Sequence, residues 1–304
     1  MLKWGRRIFL FLLVNLLVIL TINIALSVLG VRPYLNARGI DYGSLLVFCT
    51  VWGFGGALIS LALSGVMAKW MMGVRVIDPE NPGSNEESKL VQTVRRLAEK
   101  AGLRMPQVGI YDSPEPNAFA TGPTKNSALV AVSSGLLRSM DQDEIEGVLG
   151  HELTHVVNGD MVTMTLIQGV INSFVYFLAY VVSILLARGD SDDRRGGSLT
   201  EYLLRNVLIM VFGILGSIPV MAFSRWREFR ADAGGAKLAG RSKMINALKA
   251  LQGLQEARMA ARNEPKAIAA FKISSRDGWA LFASHPPLEE RIERLQSASL
   301  VIAE

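Results

Sequence analysis

Gly150-His151-Glu152-Leu153-Thr154-His155 contains two of the three histidines in this 304-residue chain, four positions apart. Positions i and i+4 of a helix share a face, so the two imidazoles can grip one metal ion. Glu152 then projects beside that ion rather than onto it. This is the H-E-x-x-H arrangement of zinc hydrolases, in which the glutamate handles the proton of a metal-bound water. A five-residue pattern also arises by chance, but a histidine-poor chain that spends two histidines here weakens that explanation.

A catalytic zinc usually has three protein ligands and keeps a fourth position for water, so one ligand remains to be found. Glu228, in Glu228-Phe229-Arg230-Ala231-Asp232, is the main candidate. On a helix Glu228 and Asp232 share a face, and Asp232 can accept a hydrogen bond from a ligand histidine, fixing its tautomer. Without the motif, the same stretch reads as an ordinary charged helix start after a membrane span. Asp160 competes for the ligand role, although it lies beyond the Asn158-Gly159 break.

The third histidine, His285, precedes Pro286-Pro287 and a helix carrying Glu289, Glu290 and Arg291. It is either a capping residue, because proline favours the first helical position, or a donor to the tetrahedral oxyanion. Asn117-Ala118-Phe119-Ala120-Thr121-Gly122 follows a turn at Asp112–Pro116. It reads as an internal strand, with an exposed edge that pairs with extended substrate as the alternative.

Half of the residues are hydrophobic and 19% are charged, against about 25% in soluble proteins. That shortfall points to membrane segments. The net charge of +5 fits contact with an anionic membrane surface. The basic residues are scattered without interleaved aromatics, which argues against a nucleic-acid partner. Cys49 is the only cysteine, so the chain can build neither an internal disulfide nor a cysteine zinc site.

Ile8 through Gly30 is uncharged and long enough to cross a bilayer, which takes roughly 20 apolar residues. Lys3, Arg6 and Arg7 would hold the N-terminus in the cytoplasm. The run exceeds the h-region of a signal peptide, about 7–15 residues, so an uncleaved span is expected. Leu45 to Met67 reads as a second span ending at Lys69, which makes 1–72 a pair of transmembrane helices. Residues 73–160 read as the first part of a soluble domain. It has a helix from Glu86 to Ala101, strands at Val108–Tyr111 and Ala128–Val132, and the motif helix from Asp141 to Val157. Within 161–223, the stretches Met161–Ala187 and Val207–Phe223 form a hydrophobic hairpin. It is read as transmembrane helices three and four, with a buried hairpin of the soluble domain as the alternative. Residues 224–304 complete the domain.

Taken together, these motifs resemble the HtpX-type membrane-bound zinc metalloproteases, relatives of the CAAX prenyl proteases. The resemblance rests on His151-Glu152-Leu153-Thr154-His155, Asn158-Gly159-Asp160-Met161, Asn117-Ala118-Phe119-Ala120-Thr121-Gly122, Glu228 with Asp232, and His285-Pro286-Pro287-Leu288. It implies an α+β, mostly helical, zincin-like domain with about four transmembrane helices. It further implies that His151, His155 and Glu228 bind one zinc ion, that Glu152 is the general base, and that Asp232 and His285 support the site. Asn117, Ala118 and Phe119 would line the substrate cleft. The implied role is hydrolysis of misfolded membrane proteins in quality control and stress response, with possible cooperation from other membrane proteases. The implied location is the bacterial inner membrane, with catalytic domain and termini cytoplasmic. Two alternatives are a non-catalytic zinc-binding scaffold and a prenyl-protein protease. Prenyl-protease relatives have more spans, enclosing a chamber, so four spans argue against the second.

Overall fold

The helix that carries the motif begins and ends where its local chemistry dictates. Asp141 accepts a hydrogen bond from Glu144 N–H at 2.8 Å, and Glu144 returns one from Asp141 N–H at 2.9 Å. This capping box satisfies two otherwise unpaired backbone donors. At the other end Gly159 takes φ 68°, a left-handed cap that favours glycine. The computed structural model describes residues 35–36, 39–187, 199–261 and 285–297. The expected span at 8–30 and the charged loop at 190–195 lie outside them.

In chain order the strands are β1 (Leu35–Asn36), β2 (Gly39–Ile40), β3 (Arg75–Val76), β4 (Gln107–Tyr111), β5 (Ala118–Thr121) and β6 (Leu129–Ser133). The helices are α1 (Tyr42–Met71), α2 (Asn85–Lys100), α3 (Ser134–Ser139), α4 (Gln142–Asn158), α5 (Asp160–Ala187), α6 (Leu199–Leu238), α7 (Arg241–Ala261) and α8 (Leu288–Ser297). The architecture is α+β and mostly helical. Its contacts separate two units: residues up to Leu61 with Thr163–Val220, and Ala62–Val162 with the chain from Met221 onward.

The first unit contains most of α1 and α5 and the first half of α6. Helices α1, α5 and α6 are long and apolar enough to cross a membrane. Large apolar side chains such as Phe174, Leu186 and Met210 stand exposed, as expected of helices whose solvent is lipid rather than water. Cys49 is fully buried, so it faces a helix rather than lipid. The expected span at 207–223 is longer than its apolar run suggests, because α6 passes through Pro219 without ending. Glu228 therefore lies inside a continuous helix and not at a new helix start.

The second unit packs a four-stranded sheet, ordered β3-β4-β6-β5, against helices. Strands β4 and β6 run parallel, and β5 pairs antiparallel with β6. Val108, Val130 and Val132 from the sheet meet Val94 and Leu97 of α2 and Leu149 and Leu153 of α4 in one buried cluster. The stretch at Asn117–Gly122 departs from the expected internal strand. Among the described residues only β6 flanks β5, so its other edge is unpaired there.

Candidate active site

Helix α4 presents His151, Glu152 and His155 to a cavity of about 390 Å³. Glu228 reaches the same point from α6, and one ligand atom from each of His151, His155 and Glu228 lies within 4.8 Å of the others. All three residues are buried. Glu228 Oε2 is 3.5 Å from His151 Nε2, and its Oε1 is 3.4 Å from His155 Nε2. The two histidines of the motif and Glu228, the third ligand that the resemblance implies, are thus brought together.

The outer nitrogens of both imidazoles are committed elsewhere. His151 Nδ1 lies 2.9 Å from Asp232 Oδ1, and His155 Nδ1 lies 2.6 Å from Asp160 Oδ2. Ionised carboxylates only accept, so each Nδ1 donates and each Nε2 turns a lone pair inward. The two Nε2 atoms are 3.1 Å apart. Glu228 Oε1 beside them is buried and has no hydrogen-bond partner among the described residues. Three acceptors facing one another in a buried space repel unless a cation sits among them, so the donor set fits a metal ion. Nitrogen and carboxylate ligands in this number suit zinc.

Protons report the same field. Burial would lower the His151 imidazole, but its hydrogen bond with Asp232 and the facing Glu228 carboxylate prevail and raise it to about 9. His155 is likewise pushed down by burial and up, on balance, by Asp160 and Glu228. A positive charge is favoured where the two rings meet.

Asp160, weighed from sequence as a competing ligand, instead braces His155 and lies outside the ligand triad. Glu152 accepts a hydrogen bond from Ala120 N–H of β5 at 3.0 Å, which ties the motif helix to the strand edge. His285 Nδ1 is 2.9 Å from Glu228 Oε2. Arg291 N–H bonds the Pro287 carbonyl, so α8 opens at Pro287 and His285 does not cap it. Asn117, Ala118 and Phe119 line the cavity, along with Leu136, Val148 and Leu248.

Arg291 went unassigned in the sequence. Its Nε and Nη2 grip both oxygens of Asp232 at 2.8 and 2.6 Å, so the carboxylate that orients His151 is itself held. The signal was available, because Leu288, Arg291, Ile292 and Leu295 form one stripe of α8. A cation on an otherwise apolar face needs a buried anion to meet it.

Comparison with known proteins adds a family. A model of peptidase family M48 matches residues 84–299. The chain is 52% identical over 300 residues to a "Protease HtpX homolog" of Chlorobium limicola, covering 97% of this chain and 100% of that one. It is also 52% identical over 299 residues to a protein of the same description from Polaromonas naphthalenivorans, covering 96% and 99%. Among solved structures, Ste24p of S. mikatae has a similar fold, with a TM-score of 0.59 and 21% identity over 82% of this chain. The chain spans 58% of that protein's length.

Proposed function

Because the chain belongs to peptidase family M48, we propose that it is a membrane-bound, zinc-dependent endopeptidase that cleaves damaged or misfolded membrane proteins. The observation that carries this reading is the buried triad of His151, His155 and Glu228 beside Glu152. Zinc held there would activate a water and polarise the scissile carbonyl. Glu152 takes the proton of the attacking water and returns it to the leaving amine. Its carboxylate is steadied by Ala120 N–H, while Asp232 and Asp160 hold the two imidazoles in the tautomer that leaves Nε2 unprotonated. His285, which touches Glu228 and lines the cavity, would donate to the developing oxyanion.

The substrate enters as an added strand along β5. Ala120 N–H points off the open edge toward Glu152, so Ala118 N–H, two residues earlier, points the same way. Extended peptide can pair there, next to Asn117 and Phe119. The apolar cavity wall at Leu136, Val148, Met244 and Leu248 suits the side chains of membrane segments. Lys69, Arg225 and Arg227 flank the apolar helices, consistent with a catalytic unit on the cytoplasmic side of a bacterial inner membrane. A non-catalytic scaffold would bind the metal without depending on Glu152.

The test is cleavage of a membrane protein by the purified full chain, with chelator added and zinc then restored. Loss and recovery of cleavage are expected. Chelator-insensitive cleavage would overturn the metal assignment, and equal cleavage of soluble and membrane-embedded versions of one substrate would overturn the membrane preference.

A further inference from the structure

On the faces of α4 and α6 turned away from the metal ligands lies a second cavity, of about 410 Å³. Thr154, Val157 and Asn158 line it from α4, and Arg230, Gly234 and Lys237 from α6. Trp226, Arg230 and Lys237 follow one stripe of α6, while Glu228 and Asp232 occupy the opposite stripe. Close packing forms the floor: a Cβ on Gly234 would come within 2.2 Å of the Thr154 side chain.

The rim carries cations and no anion. None of the residues lining this cavity is acidic, and among the described residues no ion pair joins Arg230 or Lys237 to a carboxylate. The Arg230 guanidinium lies 4.7 Å from the centre of the Trp226 ring, which is half exposed. Lys100 reaches the same rim from the end of α2, where its Nζ donates to the Leu238 carbonyl at 2.7 Å. Asn158 Nδ2 is buried and has no hydrogen-bond partner among the described residues. A buried amide donor with nothing to bind is costly, and an incoming acceptor would relieve it.

We propose that this groove binds the phosphate-bearing headgroup of an anionic phospholipid. The cations and the Asn158 amide supply donors for phosphate oxygens, and Val157, Ala233 and Leu238 offer apolar surface to the glycerol end. Trp226 is of the type that settles at the membrane–water boundary. In the same helix Arg230 lies seven residues beyond Phe223, the end of the apolar run. At about 1.5 Å per residue that is about 10 Å, within reach of the headgroup layer.

The proposal goes beyond proteolysis and is tested without it. The full chain in mild detergent is titrated with phosphatidylglycerol, phosphatidylcholine or inorganic phosphate, and bound lipid is counted by native mass spectrometry. The wild type should retain one phosphatidylglycerol at least about tenfold more tightly than phosphatidylcholine. Arg230→Gln with Lys237→Gln should remove that preference while metal content and melting temperature stay at wild-type values. Val157→Trp, which fills the groove and leaves its charge unchanged, should weaken retention as well. Equal retention of the two lipids would overturn the proposal, as would undiminished binding by either variant. Displacement of the lipid by millimolar inorganic phosphate would show that the groove reads free phosphate instead.

Discussion

Asp160 and Asp232 perform the same service for the two histidines, yet their replacement by asparagine should have different consequences. Asp160 Oδ2 contacts His155 Nδ1 at 2.6 Å, and Asp232 Oδ1 contacts His151 Nδ1 at 2.9 Å. Removing either charge weakens the basicity and orientation of its imidazole, which typically costs 10–100-fold in metal affinity, or about 1.4–2.8 kcal/mol. Only Asp232 also carries Arg291, through contacts of 2.8 and 2.6 Å. That guanidinium is buried, so Asp232→Asn strips it of its hydrogen-bonded carboxylate and leaves only Glu228 Oε2 at 3.9 Å, a loss of up to about 3–5 kcal/mol. Asp160→Asn strands no such cation. Metal affinity measured by chelator competition should therefore fall for both variants. The melting temperature of the metal-free protein should drop markedly for Asp232→Asn and little for Asp160→Asn. Wild-type metal affinity in Asp160→Asn would refute the bracing role, and equal melting temperatures would refute the ion-pair argument.

Four further outcomes follow from the structure. His151 is raised to about 9, so an incoming ion must displace a proton below that pH. Affinity should weaken as the pH falls below about 9, with proton release visible by calorimetry in buffers of different ionisation enthalpy. The sign reverses for the metal-free protein: stability from the raised His151 is full below about 6.5 and is lost as the pH rises through about 9. The buried carboxylate of Glu146 binds Arg96 at 3.0 and 2.6 Å and Lys243 at 3.0 Å. Burial alone would raise it, but these cations prevail and hold it below the usual range. Its stabilisation is present above its ordinary value of 4.5 and lost on acidification through the lowered one. Because Arg96 is largely exposed, Glu146→Gln should cost only about 1–2 kcal/mol in thermal unfolding. Gly234→Val, which forces a branched side chain against Thr154, should destabilise by about 1–3 kcal/mol.

Residues whose role follows from local spacing were legible in the sequence. The i,i+4 histidines and the Asn158-Gly159 break depend on neighbours within one helix, and the structure puts each where the pattern implies. Glu228 and Asp232 were legible as a pair because they too share a helix face. Which of Glu228 and Asp160 joins the triad was not legible from spacing, since that choice depends on how α4 and α6 pack. The edge position of β5 was hidden for a similar reason. Strand order is a property of the sheet, and Ala118–Thr121 carries no local mark of which side is open. The 40-residue length of α6 was masked by Pro219, which sequence rules treat as a break. Arg291 shows the reverse case, a visible anomaly on an apolar stripe whose partner was 59 residues away.

In the proposed reaction Glu152 moves protons and does not hold the metal. The most direct test is the cleavage rate of purified full-length Glu152→Gln whose metal content has been measured on the same preparation. One ion per chain with proteolysis reduced by at least about 10²-fold is the predicted result. Cleavage at the wild-type rate by the metal-loaded variant would contradict it.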